Sequence, residues 1–125
     1  MHLIIDGYGG DPERMQDAEF IDQLLNLYPS QIGMTKISQA QVSKYVGSDP
    51  EEWGISGFVG LAESHISIHT FPGRSYINID IFSCKEFDAD RAVQDLQEKF
   101  GLTELRSYIL NRPSVGTGVG KRAGQ

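Results

Sequence analysis

The sequence is poor in cysteine, in basic charge and in long apolar runs, and each shortage excludes something. Its single cysteine, Cys84, cannot form an internal disulfide, so the fold does not depend on an oxidising compartment. Basic residues number 11 against 17 acidic ones, for a net charge of −6. That balance supplies no basic patch for a nucleic acid or an anionic membrane, and it suits a cationic substrate better. No apolar run approaches membrane-spanning length, and Met1 to Asp6 lacks the charged, apolar and small-residue succession of a signal peptide. A cytoplasmic protein is expected. At 125 residues the chain has room for one hydrophobic core, so we expect a single domain over 1–112 followed by a flexible glycine-rich tail over 113–125.

What is present reads as alternating strand and helix patterns. His2 to Ile5 is short and apolar, and it is bounded by Asp6-Gly7-Tyr8-Gly9-Gly10, a strand followed by a turn. Asp11 as cap and Pro12 in the first turn predict a helix whose apolar face is Ala18, Ile21, Leu24, Leu25 and Tyr28, stopped by Pro29. Ile32, Met34 and Lys36 to Val42 suggest a strand and its approach, and the acidic stretch 47–52 an exposed loop. Strands are then expected over Ile55–Ala62, Ile66–Phe71 and Ser75–Cys84, the first two broken apart at Glu63-Ser64. In the last of them Ile77, Ile79 and Ile81 share the core face, while Tyr76, Asn78, Asp80, Phe82 and Cys84 share the other. Asp88 caps a helix carrying Ala89, Ala92, Val93, Leu96 and Phe100, Gly101 ends it, and Leu105 to Leu110 forms a closing strand. The fold class is α+β in the order β-α-β-β-β-β-α-β, a mainly antiparallel sheet with two helices on one face. The other face carries aromatics beside polar groups, and a second copy packed against it as a homodimer is expected.

Chemistry concentrates in Glu63-Ser64-His65-Ile66-Ser67-Ile68-His69-Thr70, where two imidazoles and several hydroxyls share a strand-forming stretch. Side-chain types alone favour a hydrogen-bonded polar seam at a subunit interface over a catalytic site. The wider segment Gly54 to Pro72, with Asp80-Ile81-Phe82-Ser83-Cys84 after it and His2-Leu3 on the first strand, resembles the short prokaryotic S-adenosylmethionine decarboxylase proenzymes.

That resemblance implies autocatalytic cleavage between Glu63 and Ser64, with Ser64 becoming a pyruvoyl cofactor. It also implies processing roles for Ser56 and His69, and Cys84 as proton donor in decarboxylation. The residue types suit the chemistry. Attack of Ser64 Oγ on the Glu63 carbonyl turns the amide into an ester, a base such as His69 can remove the Ser64 α-hydrogen, and Ser56 can donate to the oxyanion. A pyruvoyl carbonyl forms a Schiff base with a substrate α-amine and takes the electrons released as carbon dioxide leaves. A thiol titrates near enough to neutrality to return a proton. The implied partner is therefore a small amino-acid-type substrate, with polyamine (spermidine) biosynthesis as the use of the product.

Strand alternation sets one condition. Ser64 and His69 have opposite parity, so the backbone must bend or bulge at Glu63-Ser64. Two departures from the family bear on the substrate. Phe71 stands at the aromatic position that stacks on adenine in the family, but Gly73 and Arg74 follow Pro72 where the family usually has an acidic residue tied to ribose recognition. The approach 45–53 is longer than the family's, and its Trp53 offers stacking from a new place. Arginine or ornithine thus stay open as substrates, and an uncleaved binding or regulatory module stays open as a role. A metal site on His65 and His69 lacks a second close pair of ligands, and none is expected. Gly116 to Lys121 lacks the glycine spacing and the hydroxyl of a phosphate loop.

Overall fold

The computed structural model describes residues 1–112, and the tail expected over 113–125 lies outside the described residues. The elements are β1 (His2–Tyr8), α1 (Pro12–Met15), α2 (Ala18–Gln31), β2 (Gln41–Val46), β3 (Trp53–Leu61), β4 (Ser64–Phe71), β5 (Tyr76–Phe82), α3 (Ala89–Phe100) and β6 (Glu104–Leu110). The six strands form one sheet in the order β2-β3-β4-β5-β1-β6, and every neighbouring pair is antiparallel.

Alternation decides which face is core. Leu3 and Ile5 of β1, Ile55, Val59 and Leu61 of β3, Ile66 and Ile68 of β4, and Ile77, Ile79 and Ile81 of β5 are all buried on one side of the sheet. Against them α2 lays Ile21, Leu24, Leu25 and Tyr28, and α3 lays Ala92, Leu96 and Phe100. The helix α3 begins and ends as its sequence dictates. Asp88 accepts from the Arg91 amide at 3.0 Å, and Gly101 closes α3 with a left-handed φ of 64°.

Three expectations need correction. The first helix is two: Asp11 caps the single turn α1, and Asp17 then accepts from the Phe20 amide at 3.0 Å and starts α2 afresh. Pro29 does not stop α2, which runs on to Gln31 with Pro29 buried inside it. So near the C-terminus a proline forfeits one backbone bond, and the core contact outweighs the loss. The strand sought over 32–42 lies later, at Gln41–Val46, with only an isolated bridge between Lys36 and Leu61 ahead of it. Tyr45 and Val46 therefore belong to β2 and Trp53 to β3, while 47–52 remains a loop between them.

The face away from the helices bears no other element of the described chain. It exposes Tyr8, Tyr45, Phe58, Tyr108 and Leu110, each 41% or more accessible, beside half-buried Ile4, Phe71, Tyr76 and Phe82.

Candidate active site

The bend required at Glu63-Ser64 is a hairpin turn. Leu61 pairs with Ser64, so Ala62 and Glu63 alone connect β3 to β4. Glu63 takes φ 58°, a left-handed conformation that a residue with a side chain adopts at a cost. Ser64 is the first residue of β4, half-buried, and its side chain lines a small cavity of about 80 Å³ with Met34, Thr35, Ser83 and Phe87.

Register brings Cys84 to this turn. Because His65 pairs with Phe82, the chain leaving β5 passes beside the residues entering β4. The Cys84 thiol donates to the Glu63 carbonyl oxygen at 2.9 Å, and the Cys84 amide donates to Ser64 Oγ at 3.4 Å. Cys84 lies beyond the end of β5 rather than on its polar face, because the chain bends at Cys84 and Lys85 just after Ser83, which is bonded to Met1 and Lys85. One side chain thus touches the acyl oxygen, and its own backbone touches the hydroxyl, of the peptide that joins Glu63 to Ser64.

A second pair forms elsewhere. Ser56 on β3 and His69 on β4 are cross-strand partners, and Ser56 Oγ lies 2.9 Å from His69 Nδ1. Both stand on the uncovered face. Since β4 is continuous from Ser64 to Phe71, His69 is about 17 Å along the strand from Ser64 at 3.4 Å per residue, with opposite parity. So the four residues expected to act together form two separate pairs within one chain: Ser64 with Cys84, and Ser56 with His69.

Aromatics surround the second pair. Phe71 stacks on Tyr76 with centroids 5.6 Å apart, and Tyr76 meets Tyr8 at 5.0 Å while donating its hydroxyl to Asp6 at 3.0 Å. Burial and that bond push the Tyr76 phenol up to about 12. His65 lies between Phe58 and Phe82, each 5.4 Å away, and next to the His2 and Asp80 pair, which meets at 2.9 Å. Burial first, and then the His2 charge, hold His65 below its ordinary value. Among the described residues no group of three or more His, Cys, Asp or Glu could hold a metal ion.

Trp53 does not join Phe71. It shares the helix-side parity of Ile55, and Lys44 Nζ sits 5.7 Å from its ring centroid. Its position explains Gly73, where a β-carbon would come within 3.2 Å of the Glu51 backbone and 3.3 Å of Trp53 Nε1. A side chain at 73 would require the 47–52 loop or Trp53 to give by a few tenths of an ångström. Sequence reasoning missed two contributors: the Cys84 contact to Glu63, and the polar company of His69 on β5 and β1, visible only once the strand order is known.

The architecture matches that of a solved decarboxylase. The crystal structure of the adenosylmethionine decarboxylase from Aquifex aeolicus VF5 is similar with a TM-score of 0.69 and 27% identity, over 90% of this chain and 93% of that one. The family model described as S-adenosylmethionine decarboxylase matches residues 1–113. Relatives named S-adenosylmethionine decarboxylase proenzyme are 33% identical in Pyrococcus furiosus (93% of this chain, 84% of the relative) and 32% in Archaeoglobus fulgidus (89% and 95%). A further one, in Clostridium botulinum, is 35% identical (86% and 90%). This chain belongs to the S-adenosylmethionine decarboxylase family.

Proposed function

We propose that the chain cleaves itself between Glu63 and Ser64 and then decarboxylates S-adenosylmethionine with a pyruvoyl group made from Ser64, supplying polyamine (spermidine) synthesis. The observation that carries this reading is the Cys84 thiol on the Glu63 carbonyl oxygen, 2.9 Å away, at a turn where Glu63 is left-handed. A donor already placed on the acyl oxygen stabilises the charge that develops there when Ser64 Oγ attacks. The turn also leaves Glu63 exposed and puts Ser64 at a strand start, where a new chain end can form without dismantling a ladder.

The residues fit a pyruvoyl group at position 64. Glu63 lies before it, the Cys84 amide and thiol lie beside it, and a cavity opens behind it. Such a group supplies an electron sink for the carbon that loses carbon dioxide. Cys84 is exposed and can then return a proton to that carbon.

Processing needs an acid-base pair, and within one chain Ser56 and His69 are too far from Ser64 to act. A second copy packed on the uncovered aromatic face removes the distance, each copy offering its Ser56 and His69 to the exposed Glu63 side of the other's turn, past the strand end where the two faces of the sheet meet. His69 then moves the protons at Ser64, and Ser56 gives a hydroxyl to the oxyanion.

Denaturing mass spectrometry of the full chain tests self-cleavage. Expected are fragments 1–63 and 64–125, the second lighter by the elements of ammonia than a plain hydrolysis product; an intact chain overturns it. Carbon dioxide release assayed in parallel from S-adenosylmethionine, arginine and ornithine tests the substrate. Release from S-adenosylmethionine is expected, and release from either amino acid alone overturns that assignment.

A further inference from the structure

His69 has a neighbour that the scheme above leaves unused. Across the uncovered face, Ser43, Ser56, His69, Asn78, Asp6 and Arg106 stand in one line, each directly opposite the next in strand register. The rows on either side are rich in aromatic and aliphatic residues, with Tyr45, Phe71, Tyr76 and Tyr8 in one. The next row on the same face, Gln41, Phe58, Ser67, Asp80, Ile4 and Tyr108, mixes polar and apolar groups, so it is the continuous line through His69 that sets hydrogen-bonding groups on both sides of its ring.

Within that line Asn78 is out of place by ordinary rules. Asparagine is depleted in strand interiors, and here it sits in the middle of β5 with β4 on one side and β1 on the other. Its Oδ1 is the one buried side-chain polar atom without a hydrogen-bond partner among the described residues. Buried acceptors are almost always paired, so this one calls for a donor. Its neighbour Asp6 only accepts, and its other neighbour is His69. The Nδ1 edge of that ring is turned to Ser56 on the far side, at 2.9 Å. The opposite ring edge, Nε2, is thereby turned away from Ser56.

We propose that Asn78 is the positioning residue of His69: a small side-chain adjustment, since the structure leaves Oδ1 unpaired, lets it accept the Nε2–H, which leaves Nδ1 as the basic nitrogen facing the Ser56 hydroxyl. Ser56, His69 and Asn78 then act as a unit in which hydroxyl, imidazole and amide are each oriented by the next. When Nδ1 gains a proton it donates to Ser56 Oγ, and the Ser56 O–H is turned outward to meet an oxyanion. No other charged or titratable group competes for the ring from the adjacent strands. On β3 the flanking positions are Gly54 and Phe58. On β5 they are Tyr76 and Asp80, which are engaged by Asp6 and His2 respectively. The consequence for cleavage rests on the self-processing reading, whereas the hydrogen bond itself does not.

Long-range proton–nitrogen NMR of the full-length Ser64→Ala chain, with His69 assigned by His69→Gln, reads the bond directly. The expected result is a His69 Nε2–H signal whose solvent exchange is slowed tenfold or more relative to the same chain carrying Asn78→Leu. Asn78→Asp should restore it, and Asn78→Ser replaces the leucine variant if that chain does not fold. A His69 in the Nδ1–H form, or protection that survives Asn78→Leu, overturns the proposal. In the chain with Ser64 present, Asn78→Leu should slow fragment formation about tenfold or more at an unchanged melting temperature. A wild-type chain that stays intact sinks the self-processing reading alone, because the exchange measurement still decides the role of Asn78.

Discussion

At the scale of residues, the proposed scheme gives the Cys84 thiol two duties at different times, and substitution separates them. Cys84→Ala removes the donor on the Glu63 carbonyl oxygen, so self-cleavage should slow about a hundredfold, the usual effect of losing one oxyanion donor. Time courses of fragment formation check this, and an unchanged rate would show the contact to be incidental. Stability should hardly move, since Cys84 is exposed. His65 gives a pH signature. Burial lowers its value in the fold, so the unfolded chain binds the proton more readily. Its contribution is complete above the ordinary value of 6.5 and is lost as pH falls through the lowered folded value. Melting temperature should therefore drop on acidification below about 6.5, and His65→Phe, which keeps the stack with Phe58 and Phe82, should flatten that slope. The pair of Ser56 and His69 was named from sequence only through the family resemblance. The contact of Cys84 with Glu63 was not legible, because it depends on the pairing of His65 with Phe82 and the bend at Cys84 and Lys85.

Among the elements, the β3–β4 hairpin stores strain at one residue. Left-handed backbone costs a residue with a side chain about 1 kcal/mol, a cost glycine escapes, so Glu63→Gly in a Ser64→Ala background should raise stability by about that amount. Denaturant titration checks it, and no gain would mean that Glu63 is held without strain. The elements most legible in advance were those with strong local signals. The alternation of Ile77, Ile79 and Ile81 and the Asp88 and Gly101 caps marked β5 and α3 directly. The strand β2 escaped because it is an edge strand with only Val42 partly buried, so its sequence carries almost no alternation. Pro29 misled because a local rule met a tertiary one, and burial of the last turn of α2 prevailed.

For the whole molecule, the uncovered face and the 17 Å separation are the grounds for the proposed active unit of two chains. Mixing a His69→Ala chain with a Ser64→Ala chain tests it. Neither cuts alone, but in a mixed pair the first offers Ser64 and the second offers His69. Fragments derived from the His69→Ala chain alone are expected. No cleavage in the mixture would mean that the pair acts within its own chain. Charge on the face should have the matching effect, with Phe58→Glu giving monomers by sedimentation and an uncut chain.

The strand order has a further consequence for the proposed cut between Glu63 and Ser64. Residues before the cut supply β1, β2 and β3, those after it supply β4, β5 and β6, and the sheet runs β2-β3-β4-β5-β1-β6. The two pieces are therefore interleaved, with β1 wedged between two strands of the later piece. Neither can leave without the sheet coming apart, so the nicked protein melts as one body. Recovery differs. A chain that folded once by a unimolecular reaction must, after cutting and denaturation, find its other half by collision, and its refolding rate should rise with concentration where that of the uncut chain does not.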